Sequence, residues 1–95
     1  MKQIINRKLY DTEKATLIAS DRYWDGSNFE RNGRNTYLYR TPKGAYFRHN
    51  TTLWRGERDT IQALTLEQAL DLYEKLPEHE VEFTEAFPDV PLEEA

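Results

Sequence analysis

The chain has 95 residues, 38% of them hydrophobic and 13% aromatic, with no cysteine and a formal net charge of −4. That length is one domain's worth, and a domain of this size buries only about 60–65% of the surface its unfolded chain exposes, so the aromatic rings must supply much of a thin core. The absence of cysteine excludes a disulfide framework, a thiolate metal site and a cysteine nucleophile.

Lys2 to Ile5 and Lys8 to Tyr10 predict two short strands joined by Asn6-Arg7, with Asn6 tolerating the positive φ of a tight hairpin turn. Asp11 or Thr12 then caps a predicted short helix running to Ser20, in which Ala15, Ile18 and Ala19 share one face. Asp25-Gly26-Ser27 marks a turn, Asn32-Gly33 a hairpin and Pro42-Lys43-Gly44 a second reversal, so residues 28–49 read as a three-stranded meander. Its inward face is expected to pair Leu38 with Phe47, leaving Tyr37, Tyr39 and Tyr46 or Arg48 on the outer one. Thr52 to Arg55 and Thr60 to Leu64 read as further strands around a charged turn.

The clearest element is a helix from Leu66 to Leu76, opened by a Thr65/Gln68 capping box and closed by Pro77, with Leu66, Ala69, Leu70, Tyr73 and Leu76 on one stripe. Beyond it, Val81 and Phe83 alternate with Glu80, Glu82 and Thr84, which predicts an edge strand with a row of carboxylates facing outward. The expected class is therefore α+β: a small antiparallel sheet of N-terminal hairpin and central meander, a short N-terminal helix and one C-terminal amphipathic helix. Residues 1–77 read as the single domain and residues 78–95 as an acidic C-terminal strand or tail.

The run Lys8-Leu9-Tyr10-Asp11-Thr12-Glu13-Lys14-Ala15, with the later Leu38-Tyr39-Arg40-Thr41-Pro42-Lys43-Gly44-Ala45-Tyr46-Phe47, resembles small bacterial proteins carried by phages, plasmids and integrated elements. The resemblance spans about residues 7–76 and brings no activity or site residues with it. It implies a mobile-element setting, in which small folded proteins often bind and block host defence complexes, anti-CRISPR proteins among them.

Enzyme chemistry finds little to work with. Ser20 and Ser27 lack a glycine elbow, and His49 and His79 lie in differently charged regions with no third partner at a useful spacing. Glu78-His79-Glu80 with Glu82 offers metal-ligand types, but adjacent residues of a strand point to opposite faces. The four glycines are scattered in turn contexts and make no phosphate loop. No cofactor or metal is expected, and the chain reads as non-enzymatic. No stretch approaches a membrane span and Ile4-Ile5 is too short for a signal-peptide core, so a cytoplasmic protein without a membrane partner is expected.

Charge is the most informative feature, because residues 1–58 carry +6 and residues 59–95 carry −10. Such asymmetry marks an interaction surface, or an acidic end that folds back to neutralise a basic one. The acidic candidate surface comprises Glu78, Glu80, Glu82, Glu85 and Asp89, a set of carboxylates able to imitate nucleic-acid phosphates. The alternative is a basic aromatic surface of Arg31, Arg34, Tyr37, Tyr39, Arg40, Lys43, Tyr46, Arg48, Trp54 and Arg55, the mixture that grips phosphates and stacks bases. The expected function is an inhibitor from a mobile element that docks on a host nucleic-acid-handling protein, such as a CRISPR-type nucleoprotein complex. Direct nucleic-acid binding and a structural or dimerising module are the competing readings, and the chain is expected as monomer or homodimer.

Overall fold

The computed structural model describes residues 1–21 and 34–94. Two strands open the chain, β1 (Lys2–Ile5) and β2 (Lys8–Asp11), paired antiparallel from Lys2↔Asp11 to Ile5↔Lys8. Asn6 and Arg7 turn between them at φ 51° and 64°. Positive φ at both corners is the geometry of the two-residue turn whose twist matches a hairpin, and it is costly at a non-glycine residue such as Arg7, by about 1 kcal/mol or more.

A second sheet holds β3 (Thr16–Ser20), β4 (Arg34–Arg40), β5 (Tyr46–Thr52), β6 (Thr60–Leu64) and β7 (Glu78–His79). Its order is β6-β5-β4-β3-β7, and every pairing is antiparallel. The β4–β5 reversal at Pro42-Lys43-Gly44 forms as expected, with Gly44 N–H donating to Thr41 O at 2.9 Å and Gly44 at φ 88°, a conformation suited to glycine. The predicted strand near 28–31, the Asp25-Gly26-Ser27 turn and the Asn32-Gly33 hairpin lie outside the described residues. On the described side, the neighbour of β4 opposite β5 is β3.

The predicted helix over residues 12–20 is not formed; Thr16–Ser20 is a strand. The reason is a bulge. Leu17 pairs with Tyr39 and Ala19 with Leu38, so β3 spends one extra residue, Ile18, against β4. Ile18 and Ala19 therefore both turn inward, at 1% and 0% exposure, and with Ala15 they imitate a helical spacing. Tertiary pairing wins over a local pattern only two turns long.

The register also corrects the expected core pair. Leu38 lies opposite Arg48 and Phe47 opposite Tyr39, so Leu38 and Phe47 occupy opposite faces of the sheet. Each face has its own cluster. Ile18, Ala19, Leu38 and Tyr46 meet Ala69, Tyr73 and Leu76 of the long helix and Ala86 and Phe87 beyond it. On the other side Phe47 and Ile61 meet Tyr10, with Ile5, Ala15 and Tyr39 packed around them. The hairpin thus covers one face and the C-terminal elements the other.

Helix α1 (Leu66–Lys75) forms with the expected capping box: Gln68 N–H donates to Thr65 Oγ1 at 3.2 Å and Thr65 N–H to Gln68 Oε1 at 2.9 Å. Ala69 and Tyr73 are buried on its inner stripe and Leu70 is partly buried, while Leu66, predicted on the same stripe, stays 46% exposed at the rim. Residues 52–55 do not form a strand of their own; Thr52 ends β5 and the chain turns at once, with Glu57 N–H donating to Trp54 O. A last short helix, α2 (Phe83–Ala86), follows β7.

Candidate functional site

The acidic candidates sit on the layer that covers the α1 side of the sheet. Glu78 lies in β7, whose two residues pair with Ser20 and Ala19 at the edge of β3. The predicted edge strand through Phe83 ends there, because Ile18 O accepts from both Glu80 N–H (3.0 Å) and Val81 N–H (3.4 Å) and the chain leaves the ladder. Phe83 and Phe87 are then four apart, a helical spacing, and both rings pack on Tyr73. Glu82 occupies the N-cap position of α2, Glu85 stands within that helix and Asp89 follows it. The carboxylates consequently follow a turn and a helix, not a straight row.

That segment is fastened from below. Tyr73 Oη donates to Val81 O at 2.8 Å, Tyr46 Oη donates to Ala86 O at 2.5 Å, and Phe87 is stacked on Tyr46 with centroids 4.9 Å apart. His79 stacks on Tyr73 at 3.9 Å, with Nε2 2.7 Å from Tyr73 O, which accounts for this imidazole structurally. Burial, with the nearby Glu82 charge, raises the Tyr73 phenol above its ordinary pKa, so it stays the neutral donor that the Val81 bond requires. Above this frame Glu80, Glu82, Glu85 and Asp89 are exposed and Glu78 is half-buried. Among the described residues, none of the five carboxylates has an ion pair or a side-chain hydrogen bond.

Sequence reasoning read Asp71 only as a surface partner of Lys75, a pair that does not form among the described residues, and left three further carboxylates of this layer out of the candidate surface. Glu67, Asp71 and Glu74 are exposed on α1 at steps of four and three, a spacing that places them on one helix face opposite Ala69 and Tyr73. The signal was legible in the same periodicity that identified the apolar stripe.

The basic aromatic set does not assemble into one surface. Arg31 lies outside the described residues. Tyr37 and Tyr39 face the hairpin side, Tyr39 stacked on Phe47 at 5.1 Å and Tyr37 6.0 Å from His49. Arg40, Tyr46 and Arg48 face the α1 side by register, and Tyr46 is buried against Phe87. Arg48 is held by Asn50 Oδ1 at 2.9 Å and Thr36 Oγ1 at 3.3 Å. Arg34 forms a two-pronged pair with the Glu57 carboxylate, which also accepts from Thr52 Oγ1, and lies 5.9 Å from the Trp54 ring. The pair raises the Arg34 pKa and lowers that of Glu57, each mainly through the shared hydrogen bond. Lys43 stands in the turn at the other end of β4, about 20 Å from Arg34 at the strand rise of 3.3 Å per residue. Arg55 and Trp54 are exposed in the β5–β6 turn.

At the Arg34 end, a polar groove of about 460 Å³ is lined by Arg34, Arg48, Arg58, Asn50 and Glu57 among others. Among the described residues no group of three or more histidine, aspartate or glutamate side chains is placed to hold a metal ion, and no helix is long and apolar enough to cross a membrane. In comparisons with known proteins the chain matches no family model, no curated protein and no solved structure.

Proposed function

We propose that the chain is a non-catalytic binding protein whose carboxylate-bearing layer, α1, β7 and α2, docks on a basic, nucleic-acid-handling surface of another protein. The observation that supports this reading is that, among the described residues, Glu78, Glu80, Glu82, Glu85 and Asp89 have no ion pair or side-chain hydrogen bond, on a segment anchored by Phe87 and two tyrosine hydroxyls. A folded-back neutralising tail would instead have used its carboxylates on the arginines of residues 1–58. Carboxylates two to four residues apart on an anchored backbone offer a basic groove a partial replica of a phosphate chain. With the likeness of residues 8–15 and 38–47 to mobile-element proteins, the reading extends to an inhibitor of a host defence complex of the CRISPR type, acting in the cytoplasm.

Direct nucleic-acid binding through the arginines and tyrosines of the sheet draws less support. Tyr46 is buried, Tyr39 is stacked, and Arg34 and Arg48 already have partners. The test is a purified RNA-guided effector complex assayed for target-DNA binding in the presence of the chain. The wild type should reduce DNA binding, and Glu80→Gln/Glu82→Gln/Glu85→Gln should lose that effect while melting within about 0.5 kcal/mol of wild type, since exposed carboxylates contribute little to stability. Equal inhibition by both proteins would remove the acidic layer from the mechanism.

A further inference from the structure

The hairpin packs inward through Ile5 and Tyr10 and leaves its other side bare, with the register partners Ile4 and Leu9 at 72% and 52% exposure. Between β2 and the β4–β5 turn runs a groove of about 530 Å³, walled by Leu9 and Pro42 and surrounded by Arg7, Lys8, Lys14 and Lys43. Among the described residues, none of these four cations has a side-chain hydrogen bond or ion pair. The carboxylate in the lining, Asp11, is buried and already accepts from Glu13 N–H at 3.0 Å. Arg7 adds a second observation. It holds φ 64° at a hairpin corner where glycine is free of strain, so the turn carries a conformational cost that brings a guanidinium to the groove.

The lining selects the kind of occupant. Tyr10 is only 7% exposed, which leaves no open ring there for a base to stack on, whereas apolar walls between cations suit an extended peptide with an apolar side chain beside carboxylates. The chain itself carries that chemistry. Past Val90 come Pro91, Leu92, Glu93 and Glu94, with Leu92 66% exposed and both glutamates exposed without a side-chain partner among the described residues. Residues 88–94 form no helix, and Pro88 and Pro91 each lack the N–H that would continue one.

We infer that the groove receives the Leu92–Glu94 segment of a second copy, with Leu92 between Leu9 and Pro42 and the two carboxylates among Arg7, Lys8 and Lys43. Reciprocal exchange of the two segments closes the assembly as a two-fold dimer, whereas one-way docking would propagate a chain of subunits. This dimer uses a surface separate from the acidic layer and stands or falls independently of the proposed inhibitor role.

Sedimentation of the full chain tests it. At about 50 mM salt a concentration-dependent dimer is expected, weakened at about 500 mM because screening shortens the reach of the charges. Lys43→Glu and Glu94→Lys should each weaken dimerisation by about tenfold or more, a loss of about 1.4 kcal/mol, and the two variants mixed should recover a heterodimer, because its two contacts are then one native and one reversed opposite-charge pair in place of the two like-charge contacts of either homodimer. Arg7→Gly separates charge from folding: it should raise the melting temperature by several degrees and still weaken the dimer. A chain that stays monomeric at millimolar concentration in low salt overturns the inference, including the case where its own segment occupies the groove. So does a dimer indifferent to these variants, or a groove that binds labelled oligothymidylate more tightly than a labelled peptide of residues 86–95.

Discussion

The two layers that flank the sheet are built differently. On the C-terminal side Ala69, Tyr73, Leu76, Ala86 and Phe87 are all buried, and two tyrosine hydroxyls tie down the main chain. On the hairpin side, among the described residues outside the sheet, Tyr10 is the buried ring and Ile5 and Ala15 only assist it. The better-anchored layer is also the one crowded with carboxylates that are unpaired among the described residues. Burying a large apolar side chain is worth about 1.5–3 kcal/mol, more than one exposed like-charge contact takes away, so a generously packed layer can carry a concentrated charge. The hairpin layer has fewer buried side chains behind it and carries fewer charges, the cations Lys2, Arg7, Lys8 and Lys14.

The sharpest way to break this comparison is to remove one anchor from each side. Phe87→Ala should cost about 3–5 kcal/mol, because Phe87 is 1% exposed and touches the rings of Tyr46, Tyr73 and Phe83. Tyr10→Ala, at the edge of Phe47 with centroids 5.5 Å apart, should cost about 2–3 kcal/mol and speed amide exchange mainly in β1 and β2. Equal losses of protection across the whole chain in both variants would show one cooperative unit in place of two unequal layers.

A smaller effect isolates the fastening of the acidic segment. Tyr46→Phe keeps the ring against Phe87 but leaves the carbonyl of buried Ala86 without its phenolic donor, at a cost of about 1–2 kcal/mol in chemical denaturation. Tyr73→Phe, which frees Val81 O, should cost about 1 kcal/mol because that bond is only partly buried. A neutral Tyr46→Phe would mean that packing alone holds α2 in place.

Much of this contrast was legible in the sequence where a local rule acted alone. Asn6-Arg7 made a hairpin turn, Pro42-Lys43-Gly44 a reversal, and Thr65 with Gln68 a capped helix, each through chemistry confined to a few neighbours. What failed depended on partners distant in sequence. The bulge at Ile18 is defined only against β4, and it turned an alternating strand into an apparent helix. The assignment of Leu38 and Phe47 to one face needed the β4–β5 register, which the turn fixes with Arg40 opposite Tyr46. Val81 and Phe83 looked like one strand because both pack against the core, but Val81 does so where the chain leaves the β3 ladder and Phe83 does so from α2, with Phe87 one turn on packing on Tyr73. For the site, the sequence identified which carboxylates lie beyond α1, while their lack of partners among the described residues emerged only from the fold.

The smallest expected effect is a pH dependence on the hairpin side. His49 lies in β5, 6.0 Å from the Tyr37 ring and 6.4 Å from that of Tyr39, with Nε2 buried and without a hydrogen-bond partner. Desolvation is the main cause that lowers its pKa; Asp59 pulls it back up and the N-terminal ammonium adds a smaller push down. The unfolded chain therefore takes up the His49 proton at a higher pH than the folded one. Stability from this group is present above the unfolded value of about 6.5 and is lost as pH falls through the folded pKa, because in that window the unfolded state binds more protons. Melting temperature should decline between about pH 7 and pH 5, ahead of carboxylate protonation, and His49→Gln should flatten that decline. His79, stacked on Tyr73 in the opposite layer, supplies the control: His79→Gln should leave the His49 component of the slope in place. A slope carried by His79 in place of His49 would move the acid-sensitive point to the carboxylate-rich layer and reverse the ranking of the two sides.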